Sequence, residues 1–596
     1  MNLGARIRRE WRFVQGLRRT LGQVRGIAPD STQLVCDDFE DAVDNWRDRI
    51  AIEFEGRKAT YAEIDAIANR FANWAREQNI PRGATVGLFL PNRLEYLPAW
   101  IGLTKVGVAA ALINNHLTGS ALSHCLEAGR VSHVITDEET AAALDDVLAS
   151  MGRTLHHWTF ARTKPQHRDL SKALKGVSSL RPKREAARLD LKAAFTALYI
   201  YTSGTTGLPK AAKIAHTRAQ LYMRGFAGAT GATPDDRIYV TLPLYHATGG
   251  LCGMGAALMT GATVVLKRRF SASQFWADID AHRCTMFVYI GELCRYLVNQ
   301  KPAESDGRHG IRLAFGNGLG GQVWDEMRAR FNKIEVLEFY GSTEGNVSLF
   351  NFDGKPGAIG RIPGYLKKRF PIELVEFDIA SEAPVRGADG LCRRVRVGDV
   401  GECLGKVGNT PQSDYSGYAD RRASERKLLK DVFEKGDVWF RTGDLMRQDR
   451  QGYFYFVDRI GDTFRWKGEN VSTTEVGNCL SEITGVDEAT VYGVQIPGAE
   501  GRAGMAALVV TPEFDLEQLA RKVRLELPVY AQPAFVRLLT SIETTGTFKY
   551  RKIDLVEAGF DPQKVSDPLY VRSDDGSYQA MTPQVFATIA SGDGRL

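Results

Sequence analysis

The sequence has no run of about 18 apolar residues, so no segment is expected to cross a bilayer as a helix. Near its start it has no apolar stretch followed by a small-residue cleavage site, and no secretory leader is expected. Its eight cysteines (Cys36, Cys125, Cys252, Cys284, Cys294, Cys392, Cys403 and Cys479) form no CxxC pair and none lies at zinc spacing with histidine. Reduced, packed thiols in a cytoplasmic protein are the expectation. Charge of one sign is scarce too. The net charge is +6, and residues 1–28 alone hold seven arginines against one acid, Glu10. The remaining chain is close to neutral, which argues against a nucleic-acid groove along its body. Internal repeats and low-complexity tracts are also lacking.

What is present is ordinary globular material: 596 residues, 44% hydrophobic and 25% charged, enough for two or three folded units. Residues 1–28 read as a basic amphipathic helix, with Trp11, Phe13, Val14, Leu17, Leu21 and Val24 among the arginines. Two readings stand: contact with an anionic membrane surface, or a helix packed on its own domain. From about residue 35 to 350, helical stripes (Ile64, Ile67, Phe71, Trp74) alternate with short apolar strands such as 85–90, the pattern of layered α/β architecture. Residues 365–460 are richer in β-branched and aromatic residues, and a further α/β unit starts near 461. The expected division is a basic segment 1–30, a large domain 31–460 and a small domain 461–596.

An apolar strand, Ala197–Tyr201, runs into Thr202-Ser203-Gly204-Thr205-Thr206-Gly207-Leu208-Pro209-Lys210. Two glycines let backbone amides approach an anion closely, and the hydroxyls and lysine add donors, so the loop suits a triphosphate. It is not a Walker A loop, which needs glycine where Pro209 stands and Ser or Thr where Ala211 stands.

Tyr201–Lys210 resembles the signature loop of the adenylate-forming superfamily, which implies binding of the β- and γ-phosphates of ATP. Further blocks match in the same order. In Phe339-Tyr340-Gly341-Ser342-Thr343-Glu344-Gly345 the resemblance implies that Tyr340 stacks on adenine, Thr343 bonds the α-phosphate, and Glu344, with Thr202, holds Mg²⁺. The residue types suit this: a flat ring covers a base and a carboxylate is a hard ligand. Phe315-Gly316-Asn317-Gly318-Leu319-Gly320 matches the turn lying along the adenine. Asp444, in Trp439–Leu445, matches the ribose carboxylate, and Arg459 an arginine that reaches the ribose. Lys549, in Thr545-Gly546-Thr547-Phe548-Lys549, falls at the position of the catalytic lysine, with Lys552 as the alternative.

The resemblance implies a large N-terminal adenylate-forming domain, built of two α/β layers and a small β-rich unit, and a small mobile α/β C-terminal domain. It also implies two half-reactions. An acyl-adenylate forms with loss of pyrophosphate, and coenzyme A then takes the acyl group. The pivot is expected at Gly461, where glycine tolerates large dihedral changes, and 462–470, including Gly468, is expected to enter the site for the thioester step. The stretch 458–476 resembles the very-long-chain acyl-CoA synthetase and fatty-acid transport protein group, as do 339–346, Asn351-Phe352-Asp353 and 545–552. A long-chain or very-long-chain fatty acid–CoA ligase using ATP, Mg²⁺ and coenzyme A is therefore expected. The alternatives are a fatty-acid transport protein and an adenylating ligase feeding a carrier protein. His246, in Leu242–Gly250, either approaches the substrate carboxylate or is satisfied within its own turn. A cytoplasmic protein, peripheral on the inner face of the membrane through residues 1–28, completes the expectation.

Overall fold

The computed structural model describes residues 3–591 apart from 153, 161–163, 203–207, 304–305, 333, 380, 498, 500 and 545–549. Two compact units emerge from the chain's contacts. The first comprises 1–361 and 406–428, the second 362–405 and 429–596. The mixed α/β architecture expected from the sequence is found in both.

The first unit carries two large sheets. One has eight strands; its neighbours in order are Ser348–Asn351, Glu335–Gly341, Leu313–Asn317, Met286–Ile290, Arg237–Val240, Thr263–Leu266, Ile50–Phe54 and Arg57–Thr60. Its central pairs are parallel and its two edges antiparallel. The other has seven strands and ends on the antiparallel pair Thr196–Thr202 and Lys210–Ala215. The central strands are buried along nearly their whole length, as parallel strands covered on both faces must be. Helix Tyr61–Glu77 starts in a capping box: the Thr60 side chain accepts from the Glu63 amide while the Glu63 carboxylate accepts from the Thr60 amide. Helix His216–Thr230 follows the second sheet directly and stops at Gly231, which takes the left-handed φ of 58°.

The N-terminal helix, Leu3–Gln23, divides its apolar residues between two faces. Phe13 (3% exposed) and Val24 (8%) are buried, whereas Trp11 (62%), Val14 (50%) and Ile7 (60%) are not. The Phe13 ring meets the edge of Phe352 at 6.0 Å, and Glu10 pairs with Arg361 at 2.5 Å. Gly228, on helix His216–Thr230, has no room for a Cβ, which would lie 2.7 Å from the Arg19 carbonyl oxygen and the Thr20 Cα. Glycine there lets the two helices approach at backbone distance. The apolar residues thus fall on two faces: one holds the helix on its own unit, the other faces outward.

The second unit holds a sheet that includes Tyr453–Arg459, Val438–Gln448, Val400–Lys406 and Ile372–Val375. It also holds a five-stranded sheet from Val486–Val494 to Tyr578–Ala580 with its own hydrophobic core. All eight cysteines are free and buried. Among the described residues, no helix is long and apolar enough to cross a membrane.

Candidate active site

In the first unit, Thr202 and Lys210 are direct cross-strand partners at the two ends of the glycine-rich segment. Ser203, Gly204, Thr205, Thr206 and Gly207 lie outside the described residues. Tyr201 is buried, and its hydroxyl donates to the Cys125 carbonyl at 2.6 Å, anchoring the strand that delivers the loop.

Lys210 holds its ammonium 5.9 Å from the ring centre of Tyr418, within range of a cation–π attraction. The Tyr418 hydroxyl donates to Glu344 Oε1 at 2.7 Å. Burial and the neighbouring Glu344 carboxylate push the Tyr418 phenol well above its usual range, so it stays a donor. Glu344 and Lys210, read separately from the sequence, are therefore brought together around a tyrosine that the sequence reading passed over. Its signal was present in Tyr415-Ser416-Gly417-Tyr418: the Gly417 carbonyl accepts from the Lys213 amide, which docks this segment on the Lys210 strand.

Gly341–Gly345 leaves the end of strand Glu335–Gly341 and is held by helix His216–Thr230. Arg218 and Tyr222 sit four residues apart, on one face of that helix. Tyr222 donates to the Ser342 carbonyl at 3.0 Å, and Arg218 donates to the Gly345 carbonyl and, at 3.0 Å, to the Asp414 carbonyl. These backbone contacts leave side chains available. Among the described residues, Ser342 Oγ is buried with no hydrogen-bond partner, and so is Asn317 Oδ1. Buried polar atoms left unpaired cost about 1–3 kcal/mol each. Tyr340 and Thr343 are half-buried, and Tyr340 pairs with Leu349 at the sheet edge. Gly316 and Asn317 end strand Leu313–Asn317, and Gly318 turns the chain at a left-handed φ of 84°.

His246 lies half-buried beside Tyr245, ring centres 4.5 Å apart, just before an irregular π-type turn at Thr248–Gly253. Such turns recur at functional sites. Elsewhere in this unit Asp145, His157 and His167 bring one ligand atom each within 4.8 Å of one another. Lys164 already meets the Asp145 carboxylate at 2.7 Å, so the charge a cation would neutralise is matched.

In the second unit, Asp444 and Arg459 are direct cross-strand partners, with Arg459 Nε 3.8 Å from Asp444 Oδ1. Thr442 Oγ1 accepts from the Asp444 amide at 3.1 Å and donates to the Cys403 carbonyl at 2.8 Å, which sets the turn bearing Asp444. Lys467 (φ 52°) and Gly468 (φ 85°) form the two-residue turn between strands Phe464–Trp466 and Glu469–Val471, where two left-handed residues match the twist of a hairpin. Asp458 is buried, which raises its carboxyl. It accepts from the Arg459 amide at 2.9 Å, the Thr473 amide at 2.5 Å and the Thr474 hydroxyl at 3.2 Å, spanning the two sides of Gly461. Lys549 lies outside the described residues. Lys552 is engaged by Thr473 Oγ1 at 3.0 Å and Asp462 at 3.4 Å.

The AMP-binding enzyme family matches residues 39–382, and the AMP-binding enzyme C-terminal domain matches 475–549. Long-chain fatty acid transport protein 6 of Mus musculus is 41% identical, over 91% of this chain and 88% of its own. Long-chain fatty acid transport protein 1 of Homo sapiens is 39% identical, over 93% and 87%. ATP-bound MatB from Rhodopseudomonas palustris shares the fold, with a TM-score of 0.73 at 23% identity over 88% of this chain and 98% of that one. The chain belongs to the AMP-binding enzymes, within the long-chain fatty acid transport protein and very-long-chain acyl-CoA synthetase group.

Proposed function

We propose that this protein is a long-chain or very-long-chain fatty acid–CoA ligase that works through an acyl-adenylate. The observation that carries the reading is the convergence of Lys210, Tyr418 and Glu344 at the foot of the glycine-rich loop, with the Ser342 hydroxyl two residues before Glu344. The fatty nature of the acid is supported by the relatives, which are long-chain fatty acid transport proteins.

A carboxylate is a poor electrophile and is repelled by a triphosphate, so the protein must neutralise charge and place the reactants in line. Lys210 and the loop hydroxyls of Thr202, Ser203 and Thr205 bind the triphosphate. Thr343 bonds the α-phosphate, Tyr340 covers the adenine, and Asp444 with Arg459 binds the ribose. A nearly buried carboxylate and a hydroxyl suit a hard cation, so Glu344 and Thr202 would hold Mg²⁺, which supplies further charge neutralisation. Lys549 steadies the charge that builds between the incoming carboxylate and the α-phosphate. Residues 461–596 then pivot at Gly461 so that 462–470 serves transfer to coenzyme A.

The outward stripe Ile7, Trp11 and Val14, ringed by Arg8, Arg12 and Arg18, supports peripheral contact with an anionic bilayer, from which an insoluble acid is drawn.

The test is pyrophosphate exchange into ATP with a series of acids, then thioester formation with coenzyme A. Exchange that depends on a long-chain or very-long-chain acid is expected. Its absence with every such acid would overturn the ligase reading and leave transport without catalysis. Exchange with no coenzyme A ester formed would favour a carrier-protein acceptor.

A further inference from the structure

The turn Gly316–Leu319 is fixed from behind by a group outside the matched blocks. In the eight-stranded sheet, Tyr289, Gly316 and Glu338 are direct neighbours across three adjacent strands. Cross-strand neighbours in direct register point to the same face. Gly316 has no side chain, and a Cβ there would lie 2.6 Å from the Tyr289 ring. The space above Gly316 is therefore taken by Tyr289, whose hydroxyl donates to Glu338 Oε2. The other oxygen, Oε1, accepts from the Gly318 amide and, at 3.1 Å, from the Leu319 amide. The turn is closed on a further side by Gly291, where a Cβ would run into the Gly318 carbonyl.

An acid inside an apolar strand is costly. Glu338 is 1% exposed, and it stands in Val336-Leu337-Glu338-Phe339-Tyr340, two residues before the ring expected to cover adenine. Burial pushes its carboxyl up to about 8 against the opposing pull of Tyr289 and the two amides. Near neutral pH a protonated Glu338 still fits every partner: its carbonyl oxygen accepts both amides and its hydroxyl shares a proton with Tyr289.

We propose that Glu338 is a positioning residue for the nucleotide: with Tyr289 it clamps the Gly318 and Leu319 amides, which aims Asn317 Oδ1 and the adjoining backbone at the purine. The proposal rests on the reading of this turn as the adenine wall. It also gives Gly316 a different task from touching the base, namely making room for the clamp.

The test compares KM for ATP with KM for the fatty acid in wild type, Glu338→Ala, Glu338→Gln and Tyr289→Phe, with melting temperatures as a control. Glu338→Ala is expected to raise KM for ATP about tenfold or more, with KM for the acid within about twofold of wild type. Glu338→Gln, which mimics the neutral acid, is expected to restore KM for ATP to within about threefold. A change of less than about twofold in KM for ATP in Glu338→Ala, or equal rises in both constants, overturns the proposal. If Glu338→Ala does not fold, Tyr289→Phe decides: a rise of about threefold confined to ATP supports the clamp, and an unchanged KM sinks it. A wild-type protein with no ATP-dependent exchange would instead defeat the adenylating reading itself.

Discussion

Tyr418 donates its phenol hydrogen to Glu344 Oε1 across 2.7 Å, joining segments 74 residues apart in the chain. The same ring lies beneath the Lys210 ammonium. A tyrosine in this place orients the carboxylate without adding charge and steadies the lysine from the side.

Tyr418→Phe keeps the ring and removes only the hydroxyl. Bonds to charged groups contribute about 1.5–3 kcal/mol, so kcat for pyrophosphate exchange should fall about tenfold or more, with little change in melting temperature. Exchange kinetics within about twofold of wild type would remove Tyr418 from the machinery.

The sheets and the strand ends that carry the sequence blocks were legible because each is a local pattern: an apolar strand, then small or polar residues in a fixed order. What joins them was not. Arg218 and Tyr222 look like ordinary residues of a polar helix, yet they hold the Gly341–Gly345 segment through backbone carbonyls that any sequence would offer. Glu338 was the exception that could have been caught, since a charge among four apolar or aromatic strand residues needs a partner. The N-terminal helix shows the converse limit. Its periodicity gave an amphipathic helix, but which apolar residues face the protein depended on Phe352, Arg361 and Gly228, far away in the chain.

Three buried histidines of the first unit should each disfavour its folding in acid. His133, His157 and His216 are buried, and burial lowers each imidazole to about 4; neighbouring positive charge adds to this, from His156 and Arg168 at His133 and from His167 at His157. As pH falls through about 6.5 these histidines take up protons in the unfolded chain that the native protein refuses, so their contribution to stability is lost down to about pH 4 and is constant above about 7, while the raised carboxyl of Glu338 acts in the opposite sense. For His216, whose Nδ1 is buried without a partner, the loss approaches about 3 kcal/mol. Melting curves at about pH 7.5 and about pH 5 should show a smaller pH-dependent drop for His216→Asn than for wild type. An equal drop in both would mean that His216 is not protonated on unfolding.

The outward stripe of the N-terminal helix yields a separate expectation. Trp11→Ser with Val14→Ser should abolish co-sedimentation with phosphatidylserine-containing vesicles, while exchange with a detergent-dispersed acid stays at wild-type rate. Trp11 fluorescence should shift to shorter wavelength when such vesicles are added and stay unchanged with neutral ones. Because Phe13 and Val24 point into the protein, substituting them should lower stability instead. Vesicle binding that survives the double substitution would assign the contact to another surface.

Two lysines compete for the catalytic position, and their surroundings separate them. Lys552 Nζ donates to Thr473 Oγ1 at 3.0 Å and meets Asp462 at 3.4 Å, so it ties the last helical segments to the stretch that follows Gly461. A lysine so engaged is poorly placed to leave for a phosphate. Lys549→Ala should therefore abolish adenylation, by about 100-fold or more for a cation lost at the developing charge, while thioester formation from presupplied acyl-adenylate continues. Lys552→Ala should leave adenylation within about fivefold and slow the thioester half-reaction or lower the melting temperature of the second unit. Loss of adenylation in Lys552→Ala alone would reverse the assignment. Equal loss of both half-reactions in Lys549→Ala would show that one arrangement of the C-terminal residues serves both steps, and the pivot at Gly461 would lose its purpose.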